Sequence, residues 1–142
     1  MKSKVQALSV FEKGEPLPDT LSGYFIGQAY LEMLTTEAVS IGNVTFEPGC
    51  LNNWHIHHKG VQILLITGGC GWYQEWGCTA RKLRAGDVVT IPAEVKHWHG
   101  AAKDSDFCHL AVEVPAPGGF NEWLEPVADD VYDQLPGQLL IN

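Results

Sequence analysis

Basic residues are scarce in this chain: 9 Lys and Arg stand against 17 Asp and Glu in 142 residues, for a net charge of −8 with His neutral. Phosphate recognition needs clustered Lys and Arg, so no nucleic-acid or anionic-membrane partner is expected. No run of 18 apolar residues occurs, which argues against a transmembrane helix. Met1-Lys-Ser-Lys-Val5 is not followed by an apolar signal stretch, so the expected location is the cytoplasm. Cys50, Cys70, Cys78 and Cys108 lack C-x-x-C spacing, which argues against a structural zinc knuckle. Without an export signal they are expected as free thiols, acting as small hydrophobes and not as nucleophiles. Internal repeats of solenoid length and low-complexity segments are also missing.

What remains is an ordinary globular composition, 45% hydrophobic, with 15 Gly and 8 Pro to make turns. The length suits one domain with a real core. Residues 1–22 read as an N-terminal arm, with a loop at Gly14-Glu-Pro-Leu-Pro18. Short strand patterns then recur from Tyr24 to Val114. They include Asn43-Val-Thr-Phe-Glu47, Val61-Gln-Ile-Leu-Leu-Ile-Thr67 closed by Gly68-Gly69, and His109-Leu-Ala-Val-Glu-Val114. Eight or more such strands with Gly and Pro between them predict an all-β sandwich or barrel over residues 23–116. Residues 117–142 form a tail, in which Asn121 to Leu135 places Leu124, Val127, Val131 and Leu135 on one helical face. That spacing predicts a short C-terminal helix ended by Pro136-Gly137.

The chemistry is concentrated in histidine. Four of the six histidines form two His-X-His units, His55/His57 and His97/His99. Alternate side chains of a strand leave the same face, so each unit aims two imidazoles one way. Imidazole is the commonest metal ligand among side chains. Gln62 is the lone polar group on its face of an apolar run, alternating with Leu64 and Ile66, and a buried amide needs a partner or a ligand role. His109 shares its side of the last core strand with Ala111 and Glu113. Glu113 has two readings, orienting His109 or orienting a metal ligand. His58 sits in a turn and is expected in solvent. Trp72, Trp76 and Trp98 are expected as barrel packing.

These residues carry a family resemblance. Gly49, His55-Ile-His57, Gln62 and Gly69 resemble the first motif of the cupin superfamily, and Gly86, Pro92 and His97 the second. The resemblance spans roughly residues 43–114 and implies a double-stranded β-helix, or jelly-roll, barrel that is usually homodimeric. By position it implies metal ligation by His55, His57, Gln62 and His97. Three positions depart from the common pattern: Gln62 stands for Glu, Glu94 for Gly and Ala101 for Asn. Local phrasing such as Lys96-His-Trp-His-Gly-Ala-Ala102 is similar to manganese-dependent cupin hydroxynitrile lyases and to cupins associated with carboxymuconolactone decarboxylases. Those lyases imply a set of three His and one Gln, with three residues between the second His and Gln where this chain has four.

Three imidazoles and an amide leave a divalent ion its full charge, which tilts the site toward Lewis-acid work. The expected protein is a metal-dependent lyase acting on a small carbonyl or hydroxyl compound, with hydroxynitrile-lyase-like activity among its reactions. The expected ion is manganese first, with Fe, Zn or Ni as alternatives that the ligands do not separate. His109 and His99 are the candidate proton carriers, with His99 also readable as a partner to a ligand or a rim residue. Leu64, Ile66 and their neighbours are expected to wall the substrate from water. Two other readings are kept, a dioxygenase-like redox cupin and a non-enzymatic cupin that holds a small ligand.

Overall fold

The barrel is organised around one strand that belongs to both of its sheets. In the computed structural model, which describes residues 9–137, the N-terminal part holds β1 (Glu15–Pro16), α1 (Asp19–Ser22), β2 (Phe25–Ile26), β3 (Ala29–Thr35) and β4 (Ser40–Phe46). The middle holds β5 (Leu51–Asn52), β6 (His55–His58), β7 (Val61–Glu75), β8 (Arg81–Arg84) and β9 (Val88–Ile91). Then come β10 (His97–Ala101), β11 (Phe107–Val114), β12 (Phe120–Trp123) and α2 (Asp129–Asp133). One sheet runs β1-β3-β4-β11-β7 with β9 on the far side of β7, and the other runs β7-β10-β5-β2 with β6, β8 and β12 attached. Every pairing among these strands is antiparallel. Residues 1–8 of the expected arm and 138–142 of the expected tail lie outside the described residues.

β7 corrects the expectation that Gly68-Gly69 closes a strand. Its first half pairs with β11 and β9, and its second half with β10 and β8. Gly69 lies at the changeover with φ of 73°, and a Cβ there would collide with the backbone of Asp106. Only glycine takes that dihedral at so close an approach, so the pair bends the strand without ending it. Along the first half Gln62, Leu64 and Ile66 are buried while Val61, Ile63 and Leu65 are half-buried, the alternation the sequence predicts.

Among the described residues, apolar side chains gather in two clusters. Inside the barrel Phe46, Leu64, Leu83, Ile91 and Phe107 are fully buried. Outside it, Trp72 and Trp98 pack with Leu51, Trp54, Ala102 and Val127 beneath the C-terminal segment. Trp76 departs from the packing expectation: it is 58% exposed, edge-on to Trp54, with the Lys96 ammonium 3.5 Å above its ring. All four cysteines are unpaired.

The C-terminal segment is the larger correction. Phe120–Trp123 is a strand paired with β6, and the helix is confined to Asp129–Asp133. Pro126 supplies no N–H and disfavours helical backbone at the residue before it. The chain there exchanges backbone hydrogen bonds with Trp54 instead, from Leu124 N–H to Trp54 and from Trp54 N–H to Glu125. Leu124, Val127, Val131 and Leu135 still meet at one cluster. Their apolar character is real, and an extended run after β12 and one helical turn deliver it. Similarly Glu15–Pro16, expected within a loop, forms a two-residue edge strand on β3, where a proline is tolerated. Among the described residues no helix is long and apolar enough to cross a membrane.

Candidate metal centre and adjoining cavity

The first His-X-His unit falls on β6, where burial alternates and His55 and His57 are 2% and 4% exposed. β10 runs antiparallel beside it and sets His97 directly opposite His55. One ligand-type atom from each of His55, His57 and His97 lies within 4.8 Å of the others. The ring centroids are 4.1 Å apart for His55 and His97, and 5.1 Å for His57 and His97.

The opposite ring nitrogens are tied down. His55 Nδ1–H donates to the Asn53 carbonyl at 2.8 Å and His97 Nδ1–H to the Val95 carbonyl at 2.9 Å. His57 Nδ1–H donates to Asn121 Oδ1 at 2.7 Å. Because those acceptors hold the Nδ1 protons, each Nε2 carries a lone pair. Among the described residues, the buried Nε2 atoms of His57 and His97 have no hydrogen-bond partner. Buried imidazole lone pairs within 4.8 Å of one another, on rings oriented by oxygen acceptors, are what a divalent transition-metal cation requires, so the residues fit a metal.

A cavity of about 200 Å³ adjoins the cluster, bordered by His55 and His57 but not by His97. Gln62, 8% exposed, borders it from β7, donating its Nε2 to Glu113 Oε2 across the ladder while its Oε1 is buried without a partner. His99 and His109 line the same cavity with ring centroids 5.0 Å apart. His99 Nε2 faces the Asn52 amide nitrogen at 3.4 Å, and its Nδ1 has no partner. Neither nitrogen of His109 has one among the described residues. The six sequence-predicted site residues therefore occupy one neighbourhood.

The expected apolar wall is not where the sequence puts it. Leu64 and Ile66 are sealed in the barrel core, and the cavity is walled instead by Leu17, Leu21, Phe25, Leu31, Met33 and Val44. Asn121 and Trp123 are further site residues that sequence reasoning missed, since both sit in the segment read as helix. Trp123 stacks on His55 at 4.5 Å. The available signal was Pro126, which shortens that helix.

Residues 42–113 match the family described as Cupin domain. The chain belongs to the cupin family. It is similar to the (R)-mandelonitrile lyase of Granulicella tundricola, 43% identical over 94 residues that cover 66% of this chain and 71% of that protein. The crystal structure of a cupin-like protein from Thermotoga maritima agrees with a TM-score of 0.81 at 39% identity, covering 89% of this chain and 96% of that one. A cupin 2 conserved barrel domain protein from Rhodopseudomonas palustris, 23% identical, shares the fold with a TM-score of 0.65 over 82% of this chain and 78% of that one.

Within this cupin, His58 is not the solvated turn residue expected. It ends β6 half-buried, and its two ring nitrogens meet Glu94 at 2.6 Å and Glu122 at 2.7 Å. Those hydrogen bonds, Glu122 first, raise its pKa. Glu94, at the position expected to be glycine, has φ of 70°, in the left-handed region. Its carboxylate bonds to His58 and to the Lys59 N–H, which offsets a conformation that glycine would reach without strain. Ala101, in place of the expected Asn, is fully buried on β10.

Burial governs the protonation of the inner rings. Desolvation, reinforced by neighbouring imidazoles, holds His55 and His99 well below the ordinary histidine range. It pushes His97 and His109 down to about 4. The unfolded chain takes up these protons near 6.5 and the folded one only near 4, so the unfolded state binds more protons between those values. Stability of the metal-free cupin is therefore expected to fall as pH drops through that interval. Calorimetry should show a steadily lower Tm from pH 7 to pH 4.5, and a flat Tm would contradict neutral burial.

Proposed function

We propose that this cupin is a metal-dependent lyase that works as a Lewis acid on a small carbonyl or hydroxyl compound, with cyanohydrin cleavage as the reaction to test first. The observation that carries the reading is the set of buried imidazoles whose Nδ1 protons are tied to oxygen acceptors while unpartnered Nε2 atoms converge beside a cavity. His55, His57 and His97, with Gln62 through Oε1, would hold a divalent ion, manganese first. When bound, the ion would supply charge that polarises a carbonyl or eases loss of a hydroxyl proton. The (R)-mandelonitrile lyase relative supports a cyanohydrin as substrate.

The remaining chemistry belongs to the chain. The wall from Leu17 to Val44 takes the apolar part of the substrate and keeps water out. An unpartnered ring nitrogen of His109 accepts the hydroxyl proton as the bond from carbon to cyanide breaks and the carbonyl forms. The imidazolium then returns that proton to the departing cyanide, so the aldehyde and hydrogen cyanide leave a neutral ring. His99, edge-on to His109 and bonded to Asn52, steadies the pair or shares the transfer. A homodimer is part of the same reading.

Elemental analysis of the purified protein should find about one divalent ion per chain, and chelation should abolish mandelonitrile cleavage until metal is restored. Full turnover by metal-free protein would overturn the reading.

A further inference from the structure

The two ends of a glutamine amide have nearly the same shape and opposite chemistry. The oxygen offers lone pairs, while the nitrogen offers only donors and can hold no cation. A glutamine beside three converging imidazoles is therefore useful to a metal in one of its two orientations. Backbone and packing do not choose between them, because a half-turn of the amide preserves its shape. Only the hydrogen-bond partners decide.

We propose that Glu113 is a positioning residue that sets the amide of Gln62, turning Oε1 toward the cavity and the histidines. Glu113 lies on β11 directly opposite Gln62 on β7, in the register Glu113↔Gln62 flanked by Ala111↔Leu64. Its Oε2 accepts the Gln62 Nε2–H. A carboxylate only accepts, so it takes the donor end of the amide and repels the oxygen end. Gln62 is more than nine-tenths buried and borders the same cavity as His55 and His57, and its Oε1 has no hydrogen-bond partner among the described residues. The sequence left Glu113 free to serve either His109 or a ligand. The structure gives it Gln62, since neither nitrogen of His109 has a partner.

This inference rests on the reading of Gln62 as a ligand, and a double-mutant cycle separates the two. Affinity for Mn²⁺ alone is measured by competition with a fluorescent chelator, alongside circular dichroism to establish folding. The variants are Glu113→Leu, Glu113→Gln, Gln62→Leu and the double variant Gln62→Leu/Glu113→Leu. Losing an outer partner of a ligand typically weakens metal binding about 10- to 100-fold, which is the loss expected for Glu113→Leu. Glu113→Gln keeps an accepting oxygen at the same reach but adds a donor that can meet Gln62 Oε1, so it should recover only part of the affinity, whereas a role for the negative charge alone predicts no recovery. In the Gln62→Leu background, Glu113→Leu should have no further effect. Should Glu113→Leu not fold, Glu113→Thr, a good strand residue too short to reach the amide, takes its place. Wild-type affinity in Glu113→Leu together with weakened binding in Gln62→Leu overturns the positioning role alone. Wild-type affinity in Gln62→Leu overturns the ligand reading beneath it.

Discussion

Replacing His57 with alanine is expected to leave a folded barrel that no longer retains metal and no longer cleaves mandelonitrile. His57 completes the cluster, its ring centroid 5.1 Å from both His55 and His97. Removing a ligand should cost more than the roughly 100-fold upper range for removing a ligand's outer partner. Two imidazoles on adjacent strands would remain, and they would hold an ion weakly even with Gln62. The fold should survive, because the substitution removes a buried polar ring whose Nε2 is unpartnered and exposes only Asn121 Oδ1 to a missing bond. Asn121 is exposed and water can take the place of the ring, so the missing bond is worth about 0.5–1.5 kcal/mol. Metal content per chain after dialysis, with turnover on the same sample, decides the matter. Unchanged metal in a well-folded variant would place the ion elsewhere.

His109→Phe should separate catalysis from stability in the opposite sense. The ring sits 5.8 Å from Phe46 and 5.5 Å from Phe107, a setting in which phenylalanine packs readily. Both imidazole nitrogens are buried without partners, so burying the ring carries a desolvation cost that phenylalanine does not. The variant should melt at the same temperature as the wild type or higher, and should keep its metal. Its turnover should fall by about 10²- to 10⁴-fold, the usual contribution of a positioned acid or base. A histidine kept only for packing would give the reverse, with stability lost and activity retained. Should activity survive here and fail in a His99 variant, the proton role passes to His99.

The parts of this protein that were legible in its sequence share one physical cause. Strand alternation has a period of two, so spacing alone assigns His55 with His57, and Gln62 with Leu64 and Ile66, to common faces. The barrel class followed from the many short strands and the turns between them. The expected C-terminal helix is present but shorter than Asn121 to Leu135, because a one-dimensional pattern of apolar residues fits several backbones. The choice among them was made by Pro126 and by hydrogen bonds to Trp54, far away in the chain.

The cupin barrel and the histidines that face into it were therefore written locally, in spacing and residue type. The tertiary structure alone decided who stands beside whom. It brought His97 opposite His55, gave His57 the Asn121 acceptor from a segment read as helix, and set Glu113 against Gln62. It also moved the cavity wall from Leu64 and Ile66 to residues between Leu17 and Val44. Register between strands distant in sequence depends on ladder hydrogen bonds and on which faces are jointly buried. Neither quantity exists until the chain has closed on itself.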